Sequence, residues 1–70
     1  MKGVLLMNVK ALKAEIVKSG YTQAEVAKLI GISETTMSRR MKNKDFGMDE
    51  ANKLIELLKI QNPQDIFFAS

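Results

Sequence analysis

No cysteine and no histidine occur among the 70 residues, and proline occurs once. Without cysteine, disulfides and thiolate metal sites are excluded; without histidine, the usual general base and the commonest metal ligand are gone as well. Carboxylates remain, but they are evenly scattered, and no Asp/Glu pair stands out as an acid–base couple. Nor is there a nucleophile–base pair. Catalytic residues, metal ligands, cofactors and small-molecule ligands are therefore not expected, and neither is an enzyme. Long hydrophobic runs are absent too. The run Val4–Met7 falls far short of the ~20 apolar residues needed to span a bilayer. Met1-Lys2 and this run faintly resemble a signal peptide, but no cleavage site of small residues follows. The expectation is a cytoplasmic chain with no membrane partner.

What is present suits a small folded domain. Apolar residues make up 46% and charged residues 27%, a balance that favours a globular chain over a disordered one. A chain of this size hides only about 60% of its exposable surface on folding, so its stability is marginal and association would help it. Residues 1–70 are expected to form one domain, with 1–7 flexible or extended. Val4-Leu5-Leu6 is the only β-prone stretch near the N-terminus. Met7-Asn8 is a second position at which translation can start, which would make residues 1–6 an extension; both starts stay open.

The net charge of +3 comes from 11 basic and 8 acidic residues, and its distribution says more than its size. Residues 33–44 hold Arg39, Arg40, Lys42 and Lys44 against Glu34, a local balance of 4 − 1 = +3. The other segments hold 7 basic and 7 acidic residues and sum to zero. A clustered basic patch is the electrostatic footprint of a polyanion-binding face. The plainer reading is a solvated helix end whose cations complement the macrodipole.

Capping signals divide the chain into five helices. The first starts after Asn8 and runs from about Val9 to Lys18, stopped by Gly20. Val9, Leu12 and Ile16 share one face of it. The second begins at Thr22, where Glu25 completes a capping box and Tyr21 and Val26 occupy the staple positions. Gly31 ends it. Ser33 caps the third, which is expected to reach Met41 or Lys42, with Asn43 taking the left-handed conformation that closes it. Ile32 and Met37 form its staple. A fourth begins near Gly47, with Phe46 against Ala51 and an apolar face of Leu54, Ile55, Leu57 and Leu58. Asn62 and Pro63 supply an N-cap and a first-turn proline for a last short turn. Met37, Met41 and Met48 are expected as core fillers, and Tyr21, Phe46, Phe67 and Phe68 as core aromatics rather than base-stacking groups.

The segment from Thr22 to Met41 thus consists of two short helices joined by a glycine-centred turn. Its pattern, Gln23-x-x-x-Ala27-x-x-x-Gly31-x-x-x-x-x-Met37, resembles the helix-turn-helix of the Cro and repressor proteins of lambdoid phages. The similarity extends from about Asn8 to the end of the chain, taking in Gly20-Tyr21-Thr22-Gln23, the Phe46 turn and Asp65-Ile66-Phe67-Phe68. Each motif residue has a physical reason. Ala27 is small where the two helices cross, and Gly31 permits the positive φ of a tight turn. Val26, Ile30, Ile32 and Met37 supply apolar contacts between the helices. One position departs from the pattern. Arg40 stands where the family usually has an apolar residue, leaving Met41 to take over the packing and Arg40 to snorkel outward. The resemblance implies an all-α, five-helix, lambda-repressor-like DNA-binding domain, and a nucleoid-associated regulator.

On a helical wheel, Thr35, Ser38, Arg39 and Lys42 lie on the side away from Met37, with Glu34 at its edge. The start of a recognition helix meets base edges in the major groove. Arg39 is the first candidate for direct readout, since a guanidinium matches guanine O6/N7. Thr35 offers a hydroxyl or a methyl to thymine, Ser38 reaches a base or a phosphate, and Glu34 can accept from cytosine N4. A plain helix-terminus role explains Glu34 equally well. By resemblance, Gln23 faces a phosphate. Thr22, Ser33, Lys42, Asn43 and Lys44 are further phosphate candidates, with Arg40 a weaker one off the main face.

The function implied is a sequence-specific transcriptional regulator, a phage Cro-like repressor, whose partner is a double-stranded DNA operator. One recognition helix reads few base pairs, so a homodimer, at least on DNA, is expected. The fourth helix, the Phe67-Phe68 end and Val4–Met7 are candidate dimer surfaces. The alternative is a protein-interaction module, antirepressor or antitoxin-like, on the same fold. The clustered cations argue against it, because a protein-binding face favours an apolar anchor.

Overall fold

The computed structural model describes residues 7–67, and among them five helices and no strand. The helices are α1 (Val9–Ser19), α2 (Gln23–Ile30), α3 (Glu34–Asn43), α4 (Met48–Leu58) and α5 (Pro63–Ile66). The structure is all-α, as the capping pattern predicts.

Local chemistry fixes most helix starts. Asn8 Oδ1 accepts the Ala11 N–H at 3.1 Å to begin α1. At α2, Thr22 Oγ1 accepts from Glu25 N at 3.1 Å while Glu25 Oε1 accepts from Thr22 N at 2.8 Å, completing the capping box. Ser33 Oγ accepts from Thr36 N at 3.0 Å and donates to Thr36 Oγ1 at 2.9 Å. Such caps contribute about 1 kcal/mol each. The N-cap of α4 is Gly47, which has no side chain to offer; only the reciprocal bond exists, Gly47 N donating to Glu50 Oε1 at 3.2 Å. Asn62, expected to cap α5 with its side chain, makes no such bond. Its backbone carbonyl accepts from Asp65 N at 3.0 Å instead. Pro63 has no N–H to satisfy, so a turn this short needs little more.

Helices α1 to α4 each end on a residue in the left-handed conformation. Gly31 has φ +87 and open space where a Cβ would stand, so its requirement is conformational and not steric. Ile32 N then donates to Ala27 O at 2.9 Å, the long bond of a Schellman closure. The third helix ends differently from expectation. Asn43 stays helical and Lys44 takes the left-handed turn at φ 54, ψ 49. Asp45 N donates to Arg40 O at 3.0 Å, closing α3 one residue later, and Phe46 follows directly into the core. Lys59 closes α4 in the same way, with Ile60 N on Ile55 O at 3.1 Å.

The core is apolar throughout: no polar or charged side chain among the described residues is buried. Leu12 and Ile16 of α1, Val26, Ala27 and Ile30 of α2, and Met37 and Met41 of α3 meet Ala51, Leu54 and Leu58 of α4. Ile66 and Phe67 close it from the α5 side, where Asn8 N donates to Ile66 O at 2.7 Å and ties the two described ends together.

Several expectations are corrected. Met48 is 53% exposed and no core filler, because the first position of α4 lies beside the Ala51–Leu54–Leu58 stripe and not on it. Tyr21, in the short link between α1 and α2, is 36% exposed and sits at the rim. Met7, at the end of the stretch expected to be flexible or extended, is buried in the core. Met7 and Phe67 are both covered within one chain and leave the candidate dimer surfaces. Phe68 and Val4-Leu5-Leu6 lie outside the described residues.

Candidate nucleic-acid interface

Burial of Met37 and Met41 decides which way α3 faces. With those side chains turned inward, Glu34, Thr35, Ser38, Arg39 and Lys42 are all exposed on the remainder of the helix. Among the described helices, α2 packs most extensively on α3. Ala27, 1% exposed, lets the two helices approach closely, and Gly31 turns the chain within a few residues. The result is a closely packed two-helix unit that presents one polar helix face to solvent.

The residues expected to form the site fall into three groups. Gln23, the first residue of α2, donates from Nε2 to Ser38 Oγ on α3 at 3.2 Å. This bond joins the start of one helix to the exposed face of the other. Gln23, Ser38, Lys42 and Lys44 also border one open cleft of about 400 Å³. Glu34, Thr35, Arg39 and Asn43 are exposed on α3 outside that cleft, and Arg39 has no ion-pair or hydrogen-bond partner among the described residues. Thr22 and Ser33 use their hydroxyls as helix caps, while remaining exposed.

Arg40 stands apart. It is half-buried, and its Nε lies 2.9 Å from Glu50 Oε1 on α4. Met41 takes the core position beside it, as the departure from the family pattern requires.

One contributor was not foreseen from sequence: Lys13 of α1 borders the same cleft as Lys42 and Lys44. Summing charge by segment hid it, because the α1 lysines fall in stretches whose totals cancel. The available signal was its spacing of four from Val9, which places both on one stripe of α1.

A basic, exposed helix face held on a capped, glycine-turned helix pair is the geometry of a helix-turn-helix. The chain belongs to the Cro/C1-type HTH DNA-binding domain family. The match to the family's model covers residues 11–68, most of the chain. No curated protein and no solved structure matches the chain. Membership implies binding to double-stranded DNA by a regulator, in a family that is typically non-enzymatic. Among the described residues, no cluster of three or more metal-ligating side chains occurs, and no helix is long and apolar enough to cross a membrane.

Proposed function

We propose that the protein is a sequence-specific transcriptional regulator, a Cro-like repressor of the phage type, acting on operator DNA in the cytoplasm. Recognition helix α3 enters the major groove of each half-site. The observation that carries this reading is the outward row Thr35, Ser38, Arg39 and Lys42, opposite the buried Met37 and Met41.

In this reading Arg39 bonds a guanine edge, with Thr35, Ser38 and Glu34 as the other base contacts. Gln23, Thr22, Ser33, Lys42, Asn43 and Lys44 hold phosphates and set the register without reading sequence. Arg40 is the weakest phosphate candidate, since its guanidinium is engaged by Glu50. A homodimer places the two recognition helices about 34 Å apart on a near-palindromic site. Helix α4 is the candidate surface for such an interface in this reading, with Met48 at its first position 53% exposed.

Selection of bound duplexes from a random pool, at defined salt, tests the proposal. Enrichment of a palindromic consensus is expected. Binding with no sequence preference would overturn operator reading. Absence of duplex binding would favour the protein-interaction module instead.

A further inference from the structure

We propose that Lys13 of α1, together with Lys42 and Lys44, forms a phosphate-binding subsite for a backbone phosphodiester of duplex DNA, lateral to the bases read by α3. This rests on the DNA-binding reading above and adds a third helix to the interface.

The cleft of about 400 Å³ gathers three lysines from two helices and the turn after α3 around the Gln23–Ser38 hydrogen bond. All three are exposed, and among the described residues none pairs with a carboxylate. No acidic side chain borders the cleft. Lys18 on α1 lies 3.7 Å from Glu15 and Arg40 on α3 is held by Glu50. What sets the three cleft lysines apart from the other cations without a carboxylate partner is that they border one concavity.

Three lysines bordering one concavity that no carboxylate borders give it a positive potential that an anion would lower. Val9 and Met41 supply an apolar wall along which lysine stems can lie while their ammonium groups reach solvent. Gln23 has two amide hydrogens and gives one to Ser38, so a second donor remains in the same cleft. Point charges on flexible stems with one neutral donor fit a phosphodiester oxygen better than a planar base edge.

The test is the salt dependence of binding to the selected duplex and to a random duplex, for wild type, Lys13→Ala, Lys13→Arg and Lys18→Ala. Removing one lysine–phosphate interaction lowers the slope of log K against log salt by about 0.9, so over a fourfold rise in salt the affinity of Lys13→Ala should fall roughly 3.5-fold less than that of wild type. The change should be the same on both duplexes. Lys13→Arg should keep the wild-type slope, and so should Lys18→Ala, which removes an equal charge elsewhere on α1. A wild-type slope for Lys13→Ala, or an equal reduction for Lys18→Ala, would overturn the subsite while leaving DNA binding intact. A wild-type protein with no salt-dependent duplex binding would overturn both readings.

Discussion

Arg40 Nε of α3 lies 2.9 Å from Glu50 Oε1 of α4, and the same oxygen accepts the Gly47 N–H at 3.2 Å. One carboxylate therefore caps α4 and holds α3 against it. The Nε is fully covered and its hydrogen points off the line to the oxygen, so the contact is an ion pair and not an aligned hydrogen bond. With the two side chains 32% and 17% exposed, the pair is partly screened, and its worth lies between that of a surface pair and a buried one. Glu50→Gln keeps an oxygen for Gly47 but leaves Arg40 without its counter-charge. A loss of about 1–2 kcal/mol in urea denaturation is expected. Adding Arg40→Leu, which restores the apolar residue usual in the family, should recover most of it. A double variant no more stable than Glu50→Gln alone would show that the arginine contributes by something other than this pair.

Arg39 is exposed and unpaired among the described residues, so its removal should leave the fold intact. Arg39→Ala should cost roughly 1–3 kcal/mol on the selected operator and relax preference at one base pair. Repeating the duplex selection with the variant checks this. An unchanged consensus would remove Arg39 from the reading set.

Lys59 closes α4 at φ 53 and ψ 48, a conformation that is costly for any residue with a Cβ. Lys59→Gly should stabilise the protein by about 0.5–1 kcal/mol, after allowing for the larger backbone entropy of glycine in the unfolded chain. For a domain of this size that is a rise in Tm of roughly 2–8 °C, measurable by calorimetry. A fall in Tm would mean that the lysine side chain contributes more than the turn costs.

Gly31 presents the opposite case. Its φ of +87 disfavours any side chain, yet a Cβ would meet nothing within 4 Å. Gly31→Ala should destabilise by about 1–2 kcal/mol from the backbone alone, and Gly31→Asn by less. Equal destabilisation of the two variants would point to a packing role that the open space around Gly31 does not explain.

Dimer formation can be followed by sedimentation with and without operator DNA. A dimer on DNA is expected. A strict monomer in both conditions would sink the half-site arrangement.

Caps were legible in the sequence because their chemistry is local: Thr22 with Glu25, Ser33 with Thr36 and Asn8 with Ala11 each act across three residues. The inward face of α3 was legible for a related reason, since Met37 and Met41 are one helical turn apart. What escaped depends on how separate elements pack. Choosing Lys44 over Asn43 as the left-handed residue depends on where Phe46 must enter the core. Pairing of Arg40 with Glu50 joins two helices across ten residues, and the cleft that Lys13 shares with Lys42 is bordered by both α1 and α3. No local pattern encodes those distances.

The Gln23–Ser38 bond also gives the exposed face of α3 a polarity. Because the amide donates, the serine oxygen is already an acceptor, and its own hydrogen is left to point elsewhere. A hydroxyl in that state favours acceptor edges in the groove, such as purine N7 or thymine O4, over the amino groups of adenine and cytosine. If Gln23 holds a phosphate and Ser38 meets a base, as proposed above, the first side chain biases which letter the second can read.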